Sequence, residues 1–127
     1  MTASILVVED NADSLKLITW ALEDQGYPFQ CVGNAEDALA LLGHQCFGLV
    51  LMDISLPGMD GKEATRRIRA NPGTAALPVI AVTAHAVLGE ADAILKSGVS
   101  VLITKPIDED RLLDAIAALL SAGGGDG

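Results

Sequence analysis

Five short apolar runs that alternate with stretches of helical periodicity limit the possible folds of this chain more than any other feature. The apolar runs cover residues 5–8, 29–32, 47–52, 79–82 and 99–103. The helical stretches cover residues 12–25, 35–43, 61–70, 88–97 and 108–121. Continuous apolar strands joined by helices are typical of a parallel sheet with right-handed crossovers and helices on both faces. The pattern therefore predicts a doubly wound (βα)₅ domain of the α/β class.

Residues that start or stop helices stand at the boundaries of these stretches. Asn34 can cap the second helix, and Gly26 and Gly98 follow the first and the fourth. The triplet Asn71-Pro72-Gly73 ends the third helix. The residues that start and stop helices and the hydrophobic periodicity thus predict the same helices.

The length and composition fit one such domain. The chain has 127 residues, of which 50% are hydrophobic and only 3% aromatic, so aliphatic side chains must fill the core. We predict a single domain over residues 1–120. Residues 121–127 are rich in glycine and are predicted to be a flexible tail.

The charge balance narrows the range of partners. The 17 acidic and 8 basic residues give a formal charge of −9, which repels nucleic-acid backbones and anionic lipid. The first residues lack the charge and apolar length of a signal peptide, and no run approaches a membrane span. Cys31 and Cys46 are predicted to be buried free thiols, as in a reducing cytoplasm. We therefore predict a cytoplasmic protein without nucleic-acid or membrane contacts.

Polar residues are concentrated directly after the apolar runs. They are Glu9 and Asp10 after the first run, Asp53 after the third, Thr83 after the fourth and Lys105 after the fifth. Ligands of open α/β sheets bind at the carboxyl ends of the strands, where the strand order reverses. If the strand order is 2-1-3-4-5, the first and third strands are neighbours and their three carboxylates converge in one crevice.

Three converging carboxylates require a proton or a bound cation, because they cannot all stay ionised at low cost. Mg²⁺ is the natural candidate, since it accepts a few carboxylates together with water and phosphate oxygens. A carboxylate can then attack phosphorus and form an aspartyl phosphate. Lys105 would neutralise the transferring oxygens, and the Thr83 hydroxyl would hydrogen-bond the phosphoryl group. The alternatives are a solvated loop lysine and a capping hydroxyl.

Four segments at the strand ends carry a family resemblance. They are Val7-Val8-Glu9-Asp10-Asn11, residues 51–61 (LMDISLPGMDG), Val82-Thr83-Ala84-His85-Ala86 and Thr104-Lys105-Pro106. In residues, order and spacing they resemble response-regulator receiver domains, the phosphoacceptor modules of two-component signalling, over about residues 1–120. The resemblance implies a flavodoxin-like fold with strand order 2-1-3-4-5. It also implies a stand-alone receiver or the receiver of a hybrid histidine kinase.

By this resemblance Asp53 is the phosphorylated residue. Asp10 and Asp53 would contact Mg²⁺ directly, Glu9 would contact it mostly through water, and the Ser55 backbone carbonyl would complete the protein ligands. Mn²⁺ is the expected substitute. The side chains of Ser55 and His85 would overhang the phosphate and affect its lifetime, or His85 is an exposed loop residue without a role.

The resemblance also implies how phosphorylation is sensed. Thr83 would be the switch hydroxyl and Lys105 the cation that contacts the phosphate, with a cis peptide between Lys105 and Pro106. Family members usually have Tyr or Phe three residues before the lysine, where this chain has Leu102. An aromatic switch is therefore absent.

Two groups of residues outside the strand ends could form surfaces that contact partner proteins. A helical wheel places Trp20 opposite the apolar face of the first helix, so we predict that it is exposed and contacts a helical kinase or phosphotransfer partner. The simpler interpretation is a solitary apolar surface residue. Arg66, Arg67 and Arg69 are predicted to form a solvated face paired with nearby acids.

The sequence therefore predicts a Mg²⁺-dependent aspartyl-phosphate switch, not an enzyme with a separate substrate. Its donor would be a phosphohistidine on a sensor histidine kinase or a histidine phosphotransfer protein, and its output would be an unknown downstream protein. One alternative is a phosphatase of the haloacid dehalogenase type. That family has the motif Asp-x-Asp at its nucleophile, where this chain has Asp53-Ile54-Ser55. The other is a flavin- or nucleotide-binding module, which would need a phosphate loop where Glu9-Asp10 stand.

Overall fold

The computed structural model describes residues 4–56, 58–84 and 90–124. Within these ranges the strands are β1 (Ile5–Val8), β2 (Phe29–Val32), β3 (Leu49–Asp53), β4 (Val79–Thr83) and β5 (Val101–Thr104). The helices are α1 (Ala12–Asp24), α2 (Ala35–Leu42), α3 (Gly61–Ala70), α4 (Glu90–Lys96) and α5 (Glu109–Gly124). The strands form one parallel sheet in the order β2-β1-β3-β4-β5. The predicted doubly wound (βα)₅ fold and its strand order are confirmed.

Side-chain alternation along the central strands divides the core into two layers. Leu6 and Val8 of β1 pack with α2, α3 and α4 on one face. Ile5 and Val7 pack with α1 and α5 on the other face. Both β1 and β3 are buried throughout, as expected of parallel strands that helices cover on both sides. None of the helices in the described part of the chain has the length and apolar composition of a membrane span.

Side-chain caps and glycines fix the helix boundaries close to where they were predicted. The side-chain oxygens of Asn11, Asn34 and Asp60 each accept the N–H three residues on, at 2.9, 2.7 and 3.0 Å. Gly26 and Gly98 follow α1 and α4 with φ of +76° and +111°, a backbone conformation that favours glycine.

Three of the described boundaries differ from the predictions by two residues or more. β3 and β5 each begin two residues later than the apolar runs, although Phe47 and Val99 before them still pack in the core. The first pair of the β4–β5 ladder is Ile80 with Val101, so Val99 precedes the ladder. Helix α5 reaches Gly124, so the first four residues of the predicted tail are helical, since extending a helix costs less than starting one. Residues 125–127 lie outside the described part.

The prediction of buried thiols is wrong. Cys31 and Cys46 are free, as predicted, but both are exposed. Cys31 lies on β2, an edge strand with a neighbour on one side only, and Cys46 lies in the segment before β3. An apolar run in sequence therefore did not distinguish the edge strand from a central one.

Arg69 is not part of the predicted solvated face. Arg66 and Arg67 are exposed and both pair with Glu63, at 3.1 and 3.0 Å. Arg69 is half-buried and donates to two backbone carbonyls, one just before β4 at 2.6 Å and one after α4 at 2.9 Å. This side chain therefore ties the end of α3 to the turns that lead into β4 and β5.

Arg69→Met is expected to lower the free energy of unfolding by about 1–3 kcal/mol, because two partly buried carbonyls lose their charged donor. Arg67→Met is the matched control, since it removes an exposed arginine from the same helix. Arg67→Met should lower the free energy of unfolding by less, because exposed ion pairs contribute little to stability. Urea unfolding of both variants measures the difference, and equal losses would contradict the bridging role of Arg69.

Candidate functional site

The carboxyl ends of the strands bring the predicted polar residues together at one edge of the sheet. In the β1–β3 ladder, the last pair joins the residues next to Glu9 and Asp53, so these two side chains end neighbouring strands. In the β4–β5 ladder, Thr83 pairs with the residue that precedes Lys105. The register of the sheet, rather than proximity in sequence, thus forms the cluster.

Three carboxylates form the centre of this cluster. Glu9, Asp10 and Asp53 each offer an oxygen, and these oxygens all lie within 4.8 Å of one another. Glu9 and Asp53 are 3% and 4% exposed, whereas Asp10 is exposed. The Asn11 N–H donates to Glu9 Oε2 at 3.1 Å, and the Ser55 N–H donates to Asp53 Oδ1 at 3.0 Å. Backbone donors therefore orient the two buried carboxylates, while the third faces solvent.

Lys105 supplies the positive charge that faces the carboxylates. Its Nζ lies 3.4 Å from Glu9 Oε2 and 3.6 Å from Asp53 Oδ2. The other oxygen of Glu9, Oε1, is buried and has no hydrogen-bond partner among the described residues. Because a buried polar oxygen without a partner is costly, a further cation or hydrogen-bond donor at this position would stabilise the site.

The pKa of Glu9 reflects this crowding and is raised to about 7. Burial is the largest cause, and the hydrogen bond and negative charge of Asp53 act in the same direction. The Asn11 N–H and the Lys105 ammonium oppose the shift. One lysine therefore does not compensate the carboxylates fully.

The donor set fits a hard divalent cation. All three side chains offer carboxylate oxygen, which Mg²⁺ prefers, and one exposed member leaves room for water and phosphate oxygens. The orphaned oxygen of Glu9 lies in the same cluster. The residues present therefore fit the metal that the sequence predicts.

The other predicted residues lie around this centre. Thr83 is buried at the end of β4, and its carbonyl accepts the Lys105 N–H at 2.7 Å. The peptide between Lys105 and Pro106 is cis, as predicted. Leu102 is half-buried against the layer of α2, α3 and α4, where an aliphatic side chain packs. His85 lies outside the described residues.

Trp20 lies on α1 and is not part of the acidic cluster. Its side chain is 61% exposed, so the predicted exposure is confirmed. The Nζ of Lys16 lies 5.2 Å from the centroid of the ring, a cation–π contact on the surface of the helix. The residue therefore offers a large apolar surface with an adjacent positive charge.

Two residues that contact the segment from Asp53 to α3 were not identified from the sequence. A Cβ on Gly61 would lie 2.7 Å from the carbonyl oxygen of Asp53, so only glycine allows this approach of α3 to β3. Glu36, on α2, accepts a hydrogen bond from the loop after β3. In sequence, Gly61 stood out only as a glycine at a helix start. Glu36 was indistinguishable from an acid that complements the helix dipole.

Comparisons with known proteins identify the class to which this fold and site belong. Residues 5–117 match the family model of the response regulator receiver domain. The sensor protein GacS of Pseudomonas syringae pv. syringae is 39% identical over 115 residues, which cover 88% of this chain and 13% of GacS. The chain likewise spans 12% of the length of the histidine kinases GacS of Pseudomonas protegens and BarA of Escherichia coli K12.

Solved structures support the same class. The receiver domain of the sensor histidine kinase PA1611 from Pseudomonas aeruginosa PAO1, with a magnesium ion coordinated in its active site cleft, is 31% identical. Its TM-score is 0.88, with 95% of this chain and 99% of that chain covered. The CheY-like receiver domain protein from Methanospirillum hungatei JF-1 is 29% identical with a TM-score of 0.90, and both chains are covered fully.

An open parallel sheet with acids at the ends of β1 and β3 and a lysine after β5 defines a phosphoacceptor switch domain. The chain belongs to the response regulator receiver family of two-component signalling. This membership favours the switch over the phosphatase and the flavin-binding module that the sequence left as alternatives.

Proposed function

We propose that this receiver accepts a phosphoryl group on Asp53 with Mg²⁺ bound beside it. The observation that carries the proposal is the cluster of Glu9, Asp10 and Asp53 with Lys105 at its edge, within salt-bridge distance of both buried carboxylates. A carboxylate nucleophile, a metal position and a cation for the incoming oxygens are thus within one crevice.

The metal would be held by Asp10 and Asp53 directly, by Glu9 mostly through water and by the backbone carbonyl of Ser55. Bound there, Mg²⁺ supplies positive charge that offsets both the carboxylates and the oxygens of the phosphoryl group. Mn²⁺ should substitute, since it also favours oxygen ligands. The magnesium ion in the cleft of the PA1611 receiver supports this assignment.

The chemistry of the chain itself is a nucleophilic displacement. A carboxylate oxygen of Asp53 forms a bond to phosphorus, and the bond between phosphorus and the donor imidazole nitrogen breaks, with its electron pair returning to the nitrogen. The Ser55 N–H holds the carboxylate in place at 3.0 Å. Lys105 binds an oxygen of the transferred group, because its Nζ already lies 3.6 Å from Asp53.

Phosphorylation would be sensed by Thr83, whose hydroxyl turns toward the new phosphoryl oxygens. The movement of Thr83 would be passed on to strand β5, because Thr83 pairs with Thr104 and the Thr83 carbonyl accepts the Lys105 N–H. Leu102 on this strand is aliphatic and half-buried, so the response must travel by repacking rather than by rotation of an aromatic ring. Pro106, and the side chains of Ser55 and His85, would modulate the site.

The donor would be a phosphohistidine on a sensor histidine kinase or a histidine phosphotransfer protein, in line with the sensor kinases among the relatives. The output would be contact with another protein, without direct binding of nucleic acid or membrane, in keeping with the charge of −9. The domain would catalyse only its own phosphorylation and dephosphorylation. A cytoplasmic location and a domain over residues 1–120 stay predictions from the sequence.

Binding of beryllofluoride, a phosphoryl mimic, tests the proposal. Calorimetric titration should give one site per chain in the presence of Mg²⁺ and no binding after chelation. Sustained turnover of phosphate esters would support the phosphatase instead, and a flavin absorbance band that co-purifies would support the flavin module. Either of these results without beryllofluoride binding would overturn the switch.

Lys105→Ala should weaken beryllofluoride binding by about 10²-fold, because the cation that faces the phosphoryl oxygens is lost. Mg²⁺ alone should bind at least as tightly as in the wild type, since a competing positive charge has left the cluster. Lys62→Ala is the control, because Lys62 pairs with Glu90 at 3.4 Å and not with the acidic cluster. Equal effects of the two variants would refute the role of Lys105.

Trp20→Ala should slow phosphotransfer from the protein donor on the order of tenfold, as expected for a tryptophan at the centre of an interface. Phosphorylation by a small acyl phosphate should not change, because Trp20 is not part of the acidic cluster. The matched control is Leu95→Ala, which removes the other exposed large hydrophobic side chain of the described residues. Unchanged transfer from the donor would exclude Trp20 from the docking surface.

A further inference from the structure

The loop between β3 and α3, of which residues 54–56 and 58–60 are described, leads directly from Asp53 and carries the proposed carbonyl ligand of Ser55. Its beginning is fixed because Ile54 and Leu56 are buried in the core. Its end is fixed because Asp60 caps α3 and the Gly61 N–H donates to the Ile54 carbonyl at 3.1 Å. Gly58 and Met59 lie between these two ends, and a contact that holds them adds to the constraint on the segment that carries the carbonyl ligand.

Glu36 holds the middle of this loop from a different helix. It is the second residue of α2, and its Oε2 accepts the Met59 N–H at 3.3 Å. Met59 itself is half-buried against the core layer that includes α2 and α3. A hydrogen bond from a backbone N–H to a carboxylate is stronger than one to a neutral acceptor. The loop is thus held by the packing of Met59 in this layer and by a charged acceptor on α2.

Gly58, one residue earlier, makes room for this contact. It has a φ of +75°, which L side chains rarely adopt. A Cβ at this position would lie 3.2 Å from Glu36 Oε2 and 3.7 Å from Oε1. The loop therefore presents a bare backbone to the carboxylate, and any side chain would press on it.

We propose that Glu36 is a positioning residue for the phosphoacceptor site. Its carboxylate accepts the Met59 N–H beside Gly58. This contact adds to the core packing of Ile54 and Leu56 and helps to keep the backbone in the conformation in which the Ser55 carbonyl can complete the metal ligands and the Ser55 N–H can orient Asp53. The inference rests on the proposed function, because it concerns the same metal site. Glu36 acts through the loop and does not touch the reacting atoms.

Two variants of Glu36 separate positioning from charge. Glu36→Gln keeps an oxygen that accepts the Met59 N–H and removes the negative charge, whereas Glu36→Ala removes both. Asp37→Asn is the charge control, since it neutralises the next residue of the same helix turn, whose side chain contacts Asn34 rather than the loop. Thermal unfolding of each variant verifies that the fold is intact.

The readouts are amide hydrogen exchange of the loop and the Mg²⁺ dissociation constant of the unphosphorylated protein. In Glu36→Ala the Met59 and Ser55 amides should exchange faster, and Mg²⁺ should bind about 10-fold more weakly, the lower end of the effect of residues that orient metal ligands. Glu36→Gln and Asp37→Asn should both stay within about twofold of the wild type. Gly58→Ala should reproduce the effect of Glu36→Ala.

Three results would overturn the proposal. They are unchanged exchange and Mg²⁺ affinity in Glu36→Ala, equal weakening in Glu36→Gln and Glu36→Ala, or equal weakening in Asp37→Asn. The last two would assign the effect to charge alone. Failure of the proposed function is distinct, because the wild type would then bind neither Mg²⁺ nor beryllofluoride.

Discussion

Asp53→Asn is expected to abolish incorporation of a phosphoryl group from a phosphorylated histidine donor. An amide oxygen can still accept the Ser55 N–H, which lies 3.0 Å from the carboxylate, so the fold should persist. The amide is a poor nucleophile and removes one of three carboxylates from the metal site. The rate should therefore fall by at least about 10³-fold. Intact-protein mass after incubation with the donor measures it.

The control for this variant is Asp60→Asn, the same chemical change seven residues further along the chain. Asp60 caps α3 through the Glu63 N–H at 3.0 Å, and asparagine caps helices equally well. Incorporation should therefore match the wild type. A phosphorylated Asp53→Asn protein would show that another residue is the acceptor.

Gly61→Ala is expected to have the largest effect on the architecture of the site. Its Cβ would lie 2.7 Å from the Asp53 carbonyl oxygen and 2.9 Å from the Ile54 Cα, distances at which backbone must move. Overpacking of this kind costs about 1–3 kcal/mol, more than a first-turn alanine gains. Because the displaced backbone carries Asp53, Mg²⁺ affinity should fall together with stability. Urea unfolding and a Mg²⁺ titration measure the two losses.

Gly33→Ala provides the matched control. Gly33 lies between β2 and α2, at the same edge of the sheet, and a Cβ there would have nothing within 4 Å. Both stability and Mg²⁺ affinity should therefore stay close to the wild type. If Gly61→Ala behaved in the same way, the close approach of α3 to β3 would not matter for the site.

The sequence predicted the class of fold because strands buried on both faces are continuous apolar runs. It did not predict where pairing starts, since Val99 is as apolar as Val101 but lies beyond the first pair of the β4–β5 ladder. The exposure of Cys31 was missed for a similar reason, because its strand is at an edge. Arg69 was misplaced because its two carbonyl partners lie outside its own helix, 8 and 29 positions further along the chain.

The acidic cluster could be predicted because a polar residue directly after an apolar run marks a strand end. Glu9, Asp10 and Asp53 each stand at such a position, and the parallel order brings them together. The contact of Glu36 with Met59 spans 23 positions and depends on how α2 lies beside a loop. No local pattern encodes such a contact, so only the three-dimensional structure reveals it.

The most direct test of the central claim is the mass of the intact wild-type protein after incubation with a small acyl phosphate. With Mg²⁺ present, the protein should gain one phosphoryl group per chain, located by peptide mapping to the segment that contains Asp53. With a chelator in place of Mg²⁺, its mass should not change. Absence of the phosphoryl group in Mg²⁺, or its presence on a residue other than Asp53, would contradict the account.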